Sequence, residues 1–164
     1  VKAYSGSSSG ADRYTDYSKF VWGFLSTGAY PAADGWYFRV LVHTGTDTGA
    51  GTDANITLRL DTSSYPLNYS GHDDFENNDL AAYYVGPVAS IPARIGLSND
   101  AAGAGSNWQV ASIKVVAFHV GGAPGYGEIL SATPGWVNNA AGWDAATTPV
   151  PASPLTTLAV HPLT

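Results

Sequence analysis

The 164-residue chain has a formal charge of −6, is 45% hydrophobic and 12% charged, and contains neither cysteine nor methionine. That length makes one ordinary domain with a real core, and the composition excludes a disordered tail or a coiled coil. An acidic chain offers phosphate no basic surface, which excludes nucleic acid as a partner, and without cysteine there is no disulfide framework, thiolate metal site or cysteine nucleophile.

The 19 glycines and 10 prolines fall largely between alternating segments, the mark of an all-β fold with many turns. A start at Val1 and the lack of methionine read as the mature form of a cleaved precursor, so secretion is the expectation. No apolar run reaches the length needed to span a bilayer.

In chain order, residues 1–16 are rich in Ser, Gly and Tyr and read as a flexible or partner-ordered arm. Phe20-Val21-Trp22-Gly23-Phe24-Leu25 reads as an apolar strand, and residues 26–35 as a turn-rich connection. Phe38, Val40 and Val42 then alternate with Tyr37, Arg39, Leu41 and His43, and Ile56, Leu58 and Leu60 alternate with Thr57 and Arg59. Between these strands lies Thr44-Gly45-Thr46-Asp47-Thr48-Gly49-Ala50-Gly51-Thr52-Asp53. Its glycines permit positive φ and close backbone approach, and its carboxylates are hard oxygen donors. Such a loop points to a calcium-type site at one end of a β-sandwich.

Residues 61–70 read as a loop, followed by the most acidic run, Gly71-His72-Asp73-Asp74-Phe75-Glu76-Asn77-Asn78-Asp79. Residues 80–85 and 88–91 read as two short strands separated by Gly86-Pro87. Ala93, Ile95 and Leu97 alternate again and lead into Ser98-Asn99-Asp100-Ala101-Ala102-Gly103. In the strand over residues 108–118 the inward set, Trp108, Val110, Ile113 and Val115, changes phase between Val110 and Ile113, which predicts a β-bulge. Residues 121–142 read as loop, residues 147–154, with Pro149, Pro151 and Pro154, as a semi-extended linker, and residues 155–160 as a last β-prone segment. The expected plan is an arm and leading strand over 1–35, a sandwich core over 36–120 and a loop-rich extension over 121–164.

The order of these motifs, Thr-Gly-x-Asp-x-Gly-Ala-Gly-Thr-Asp-Ala-Asn, then Gly-x-Asp-x-Phe, then Asn-Asp, then Trp-x-hydrophobic, resembles the PLAT (LH2) domain over residues 36–118. That family occurs in lipoxygenases, some lipases, a clostridial phospholipase toxin and polycystins. The resemblance implies an antiparallel β-sandwich of two sheets, non-catalytic, often holding calcium in loops at one end and docking its host to membrane lipid or a protein partner. By position it implies a first calcium loop of Asp47, Gly49 and Gly51 facing Asp100 and the Ala101 carbonyl. A second cluster would be Asp53 with Asp73, Asp74 and Glu76, and Trp108 matches a core tryptophan. The segments before Trp36 and after Phe118 have no counterpart in the motif and stand as extra N- and C-terminal arms.

Each signal also has a plainer reading. Asp47 and Asp53 suit a turn whose carboxylates bond to backbone, and residues 73–76 suit a solvated acidic turn. Paired carboxylates invite a glycosidase reading, but adjacent residues diverge and no second cluster marks a cleft, so no enzyme is expected. His43, His72, His119 and His161 lack zinc-ligand spacing, no Gly-x-Ser-x-Gly elbow is present, and Gly121-Gly122-Ala123-Pro124-Gly125 lacks the lysine of a phosphate loop. Trp22, Trp36, Trp136 and Trp143 would serve a sugar platform or a lipid interface, though core packing explains most of them. Asn55-Ile56-Thr57 and Asn68-Tyr69-Ser70 fit the N-glycosylation pattern, Asn68 being the better acceptor. The alternative function is a self-assembling subunit of an extracellular fibre, sheath or surface layer, whose terminal arms add strands to a neighbour's sheet.

Overall fold

Alternating apolar residues punctuated by Gly and Pro build strands throughout the described chain. The computed structural model describes residues 2–5, 34–68, 73–103, 107–120, 125–138 and 141–150. Its strands are β1 (Lys2–Ser5), β2 (Gly35–Thr44), β3 (Ile56–Leu60), β4 (Ser63–Leu67), β5 (Leu80–Val88), β6 (Arg94–Asn99), β7 (Asn107–Val120), β8 (Tyr126–Ala132), β9 (Gly135–Asn138) and β10 (Trp143–Ala146). One sheet has the order β1-β5-β2-β7-β8, with β9 also on β7, and the other has the order β10-β6-β3-β4. Every described pairing is antiparallel.

The core lies between the sheets. Phe38, Val40 and Val42 of β2 and Ile113 and Val115 of β7 belong to one buried cluster with Ile56 and Leu58 of β3 and Ile95 and Leu97 of β6. Burial alternates along β3, as the sequence predicts for a strand with one wet face. Along β2 it does not, because Tyr37, Arg39 and Leu41 on the opposite face are buried too.

The phase change in β7 is a bulge. His43 pairs with Ser112 but Thr44 pairs with Val110, so Ala111 is the extra residue. Ala111 and Ser112 both face solvent, and Val110 and Trp108 return to the core. Trp108 is completely buried, and its indole Nε1 donates to Thr44 Oγ1 at 3.0 Å, which satisfies the one polar atom it carries inside.

Several local expectations are corrected. Within residues 61–70, Ser63–Leu67 is β4, which among the described strands pairs with β3 alone and so lies at the sheet edge; Pro66 is tolerated there because an edge strand needs its N–H groups on one side only. The two short strands expected around Gly86-Pro87 are one strand, β5, which absorbs that pair as an irregularity against Trp36 and Phe38. A Cβ at Gly86 would fall 2.7 Å from the Tyr37 ring, so the close strand approach requires glycine. Residues 121–142, expected as loop, contain β8 and β9, and residues 2–5 of the expected arm are a strand on β5. Residues 20–25 and 155–160 lie outside the described residues.

Candidate metal centre

The segment from Gly45 to Asn55 joins β2 of one sheet to β3 of the other and so crosses one end of the sandwich. It opens with a tight turn in which Ala50 N donates to Asp47 O at 3.0 Å, and Gly49 at φ +77° supplies the positive φ. A Cβ at Gly45 would lie 1.8 Å from Gln109 Oε1, so the Gln109 side chain can lie across it only because it is glycine. Residues 73–79 are laced to this loop: Thr52 N donates to Phe75 O at 3.3 Å, and Asn78 N donates to Gly45 O at 2.9 Å. Gly51 sits under that contact, where a Cβ would be 3.1 Å from Phe75 O.

Phe75 anchors the acidic loop. It is 3% exposed, with ring centroids 5.6 Å from Tyr83 and 4.8 Å from Trp108, and takes a φ of +66°. With Phe75 driven inward, Asp73 and Glu76 on either side are left at the surface. There they meet Asp53, and ligand oxygens of the three carboxylates lie within 4.8 Å of one another. Two oxygens held about 2.3–2.6 Å from one calcium ion can be no more than about 4.6–5.2 Å apart, so the spacing fits a shared ion. Three carboxylates supply about three to six of the 6–8 oxygens of a calcium shell, depending on how many bind through both oxygens, and water completes an exposed one. Asp53 and Asp73 also line a cleft of about 150 Å³ with Asn55, Pro66, Asn68 and Phe75.

The other expected ligands sit differently. Asp74 is half-buried beside Tyr83, whose phenol is pushed up first by burial and then by the charges of Asp74 and Asp79. Asp47 accepts from Gln109 Nε2 at 2.5 Å. Asp100 accepts from Asn55 Nδ2 at 2.7 Å, Asn55 N at 3.0 Å and Ala102 N at 2.9 Å, and these bonds, Asn55's side chain foremost, hold its carboxyl below the usual value. Ala101, at φ +56°, donates its N–H to Asn99 Oδ1 at 2.7 Å. This loop abuts the trio, since a Cβ at Gly103 would fall 2.7 Å from Asp53 Cβ. Gly49 and Gly51 shape the backbone around the acidic residues.

Sequence reasoning missed Gln109 and the Asn55–Asp100 pair. Neither has a local signal, because each bond joins residues far apart in sequence. Asn55 spends its amide on Asp100, whereas Asn68 is exposed. Trp36 and Trp143 are partly buried against the core, and Trp136 on β9 is 50% exposed; Trp22 lies outside the described residues.

No protein-family profile matches the sequence, and no curated protein matches it. Solved structures do match. A lipoxygenase in complex with arachidonate aligns at 22% identity and TM-score 0.53 over 71% of this chain and 18% of its own. A coral 8R-lipoxygenase, described as activated by calcium via a C2-like domain, aligns at 25% identity and TM-score 0.51 over 68% of this chain and 16% of its own. A calcium-dependent 11R-lipoxygenase aligns at 24% identity and TM-score 0.50 over 68% of this chain and 17% of its own. The chain thus spans less than a fifth of the length of these structures, and the likeness is one of fold.

Proposed function

We propose, from a fold that is the PLAT/LH2-like β-sandwich, that the chain is a non-catalytic module that binds calcium at Asp53, Asp73 and Glu76 and uses that end to engage lipid or a protein partner outside the cell. The observation that carries this reading is the convergence of three carboxylates, from two separate loops, to the spacing of one ion's ligands. Calcium regulation described for the two lipoxygenases above supports the choice of ion. Asp47 and Asp100 already accept hydrogen bonds from Gln109 and Asn55, whereas Asp53, Asp73 and Glu76 stand at ion-sharing distance, so the trio is proposed as the primary ligand set. Asp74 and the Ala101 carbonyl stand behind it.

The chemistry follows from charge. A chain of net charge −6 is repelled by an anionic surface until a bound cation reverses the local sign. An exposed, partly hydrated site belongs with the weak calcium modules, with a Kd on the order of 10⁻⁴–10⁻³ M, and such a site fills only where calcium is abundant. That argument supports secretion. Half-exposed Trp136, directly across the strand pair from Gln109, offers an amphipathic ring at the same end for a lipid interface or a protein pocket.

Calorimetric titration of calcium into the native chain, Asp73→Asn and Asp47→Asn tests the site. Asp73→Asn should lose at least about tenfold in affinity and Asp47→Asn little. Equal losses, or none at Asp73, would sink the assignment. Co-sedimentation with phosphatidylserine vesicles, in calcium and in chelator, then separates a lipid target from a protein one.

A further inference from the structure

Trp136, Gln109 and Asp47 have no place in the trio, and they stand together. Trp136 is 50% exposed and is, among the described residues, the one exposed large hydrophobic side chain. The pairing of β7 with β9 sets Asn107 opposite Asn138, Trp108 opposite Val137 and Gln109 opposite Trp136. Trp108 and Val137 are wholly buried, so alternation turns Asn107, Gln109, Trp136 and Asn138 to the other face, away from the second sheet. Asn107 and Asn138 are exposed there, and Asn138 Oδ1 accepts from Ala141 N at 3.0 Å to close the turn after β9. Gln109 N donates to Ala50 O at 3.0 Å and its carbonyl accepts from Gly45 N at 2.7 Å, so its backbone is spent on the Gly45–Asn55 segment. The Gln109–Trp136 pair is therefore a non-hydrogen-bonded one, the kind whose side chains lie closest.

The Gln109 amide is also held in place. Its Nε2 donates to Asp47 Oδ2 at 2.5 Å, and the side chain lies over Gly45, where a Cβ would come 1.8 Å from Oε1. A primary amide carries two donors and an acceptor, so the bond to Asp47 leaves one of each to present beside the indole.

We propose that Trp136, Gln109, Asp47 and Asn107 form a binding platform for a neutral saccharide. A sugar ring has an apolar face of C–H groups and a rim of hydroxyls. The C–H face covers the exposed indole and removes it from water. The hydroxyls donate and accept at once, which matches side-chain amides and a carboxylate. Other occupants match less well. Insertion into a bilayer or a protein pocket calls for an apolar surround, whereas the outward neighbours of Trp136 on these two strands are the amides of Gln109, Asn107 and Asn138. A phosphate calls for cationic donors, and the platform carries Asp47 and no basic side chain. The platform shares no residue with the trio, so it stands independently of the calcium site. Where the partner is a lipid or a protein, the sugar it bears is the part recognised.

Affinity electrophoresis of the full chain, in gels cast with hydroxyethyl cellulose, starch, galactomannan or laminarin, tests this with chelator and with calcium. At least one polymer should retard the chain under both conditions. Trp136→Ala should weaken that retardation at least about tenfold, and Gln109→Ala, at a second surface position, several-fold. Asp47→Ala should follow Gln109→Ala, because it releases the amide. Free migration in every gel overturns the proposal, and so does retardation that Trp136→Ala leaves unchanged or that appears only with calcium. Phosphatidylcholine vesicles, plain or doped with digalactosyl diacylglycerol, separate the sources of the sugar. Capture by doped vesicles alone identifies a glycolipid carrier, and retardation in gels without capture identifies a polysaccharide or a protein-borne glycan. Equal capture by plain vesicles would make Trp136 a bilayer anchor and overturn the saccharide assignment.

Discussion

Phe75 shows how one side chain makes a site out of a loop. Buried between Tyr83 and Trp108, it fixes where Asp73 and Glu76 emerge, so its loss should reach the metal through the backbone. Phe75→Ala is expected to cost about 3–5 kcal/mol in urea unfolding and to weaken calcium binding although no ligand has been removed. Asp100 makes a narrower point. Its carboxyl is held down first by the Asn55 side chain and then by Ala102 N, so the loop tie it provides is present above the ordinary pKa of 3.8 and is lost as pH falls through the lower folded value. Asn55→Ala should move the Asp100 midpoint up toward the ordinary value, read by the carboxyl carbon shift in an NMR titration. A midpoint that stays put would place the cause elsewhere.

At the scale of the element, the bulge at Ala111 separates two jobs of one long strand. Residues 113–118 of β7 pair with β8 and residues 107–110 pair with β9, and the extra residue resets the side-chain phase between them. Because Ala111 is the residue without a partner on β2, its deletion keeps Val110 and Ile113 both inward and should lower Tm only modestly. Deleting Lys114 instead throws one half of β7 out of phase, turning core residues to water, and should abolish folding. Circular dichroism melts distinguish the two. β4 teaches a related lesson: Ser63-Ser64-Tyr65-Pro66-Leu67 has little strand character, and it is a strand because β3 offers it an unpaired edge.

For the whole molecule, the sandwich is a rigid frame whose two sheets both feed loops into one acidic end. The segment carrying Asp53 connects the sheets, and the segment carrying Asp73 and Glu76 leads into β5. A cation held by Asp53, Asp73 and Glu76 therefore ties the crossing between sheets to the acidic loop. Calcium at ten times its Kd should stabilise the fold by about 1.4 kcal/mol, visible as a rise in Tm that Asp73→Asn removes. A rise of the same size with magnesium would point to general charge screening.

The sequence by itself determined the all-β class, the PLAT-like motif order, the β7 bulge, the core position of Trp108 and the acidic residues from which a site is drawn. All of these rest on side-chain period or on contiguous residue types, which a linear string displays directly. Only the tertiary structure decided that Asp53, Asp73 and Glu76 converge while Asp47 and Asp100 turn to Gln109 and Asn55. It alone revealed that β4, β8 and β9 are strands and that β2 is buried on both faces. These outcomes depend on which backbone edge or side chain arrives from a distant part of the chain, and no local pattern encodes that arrival.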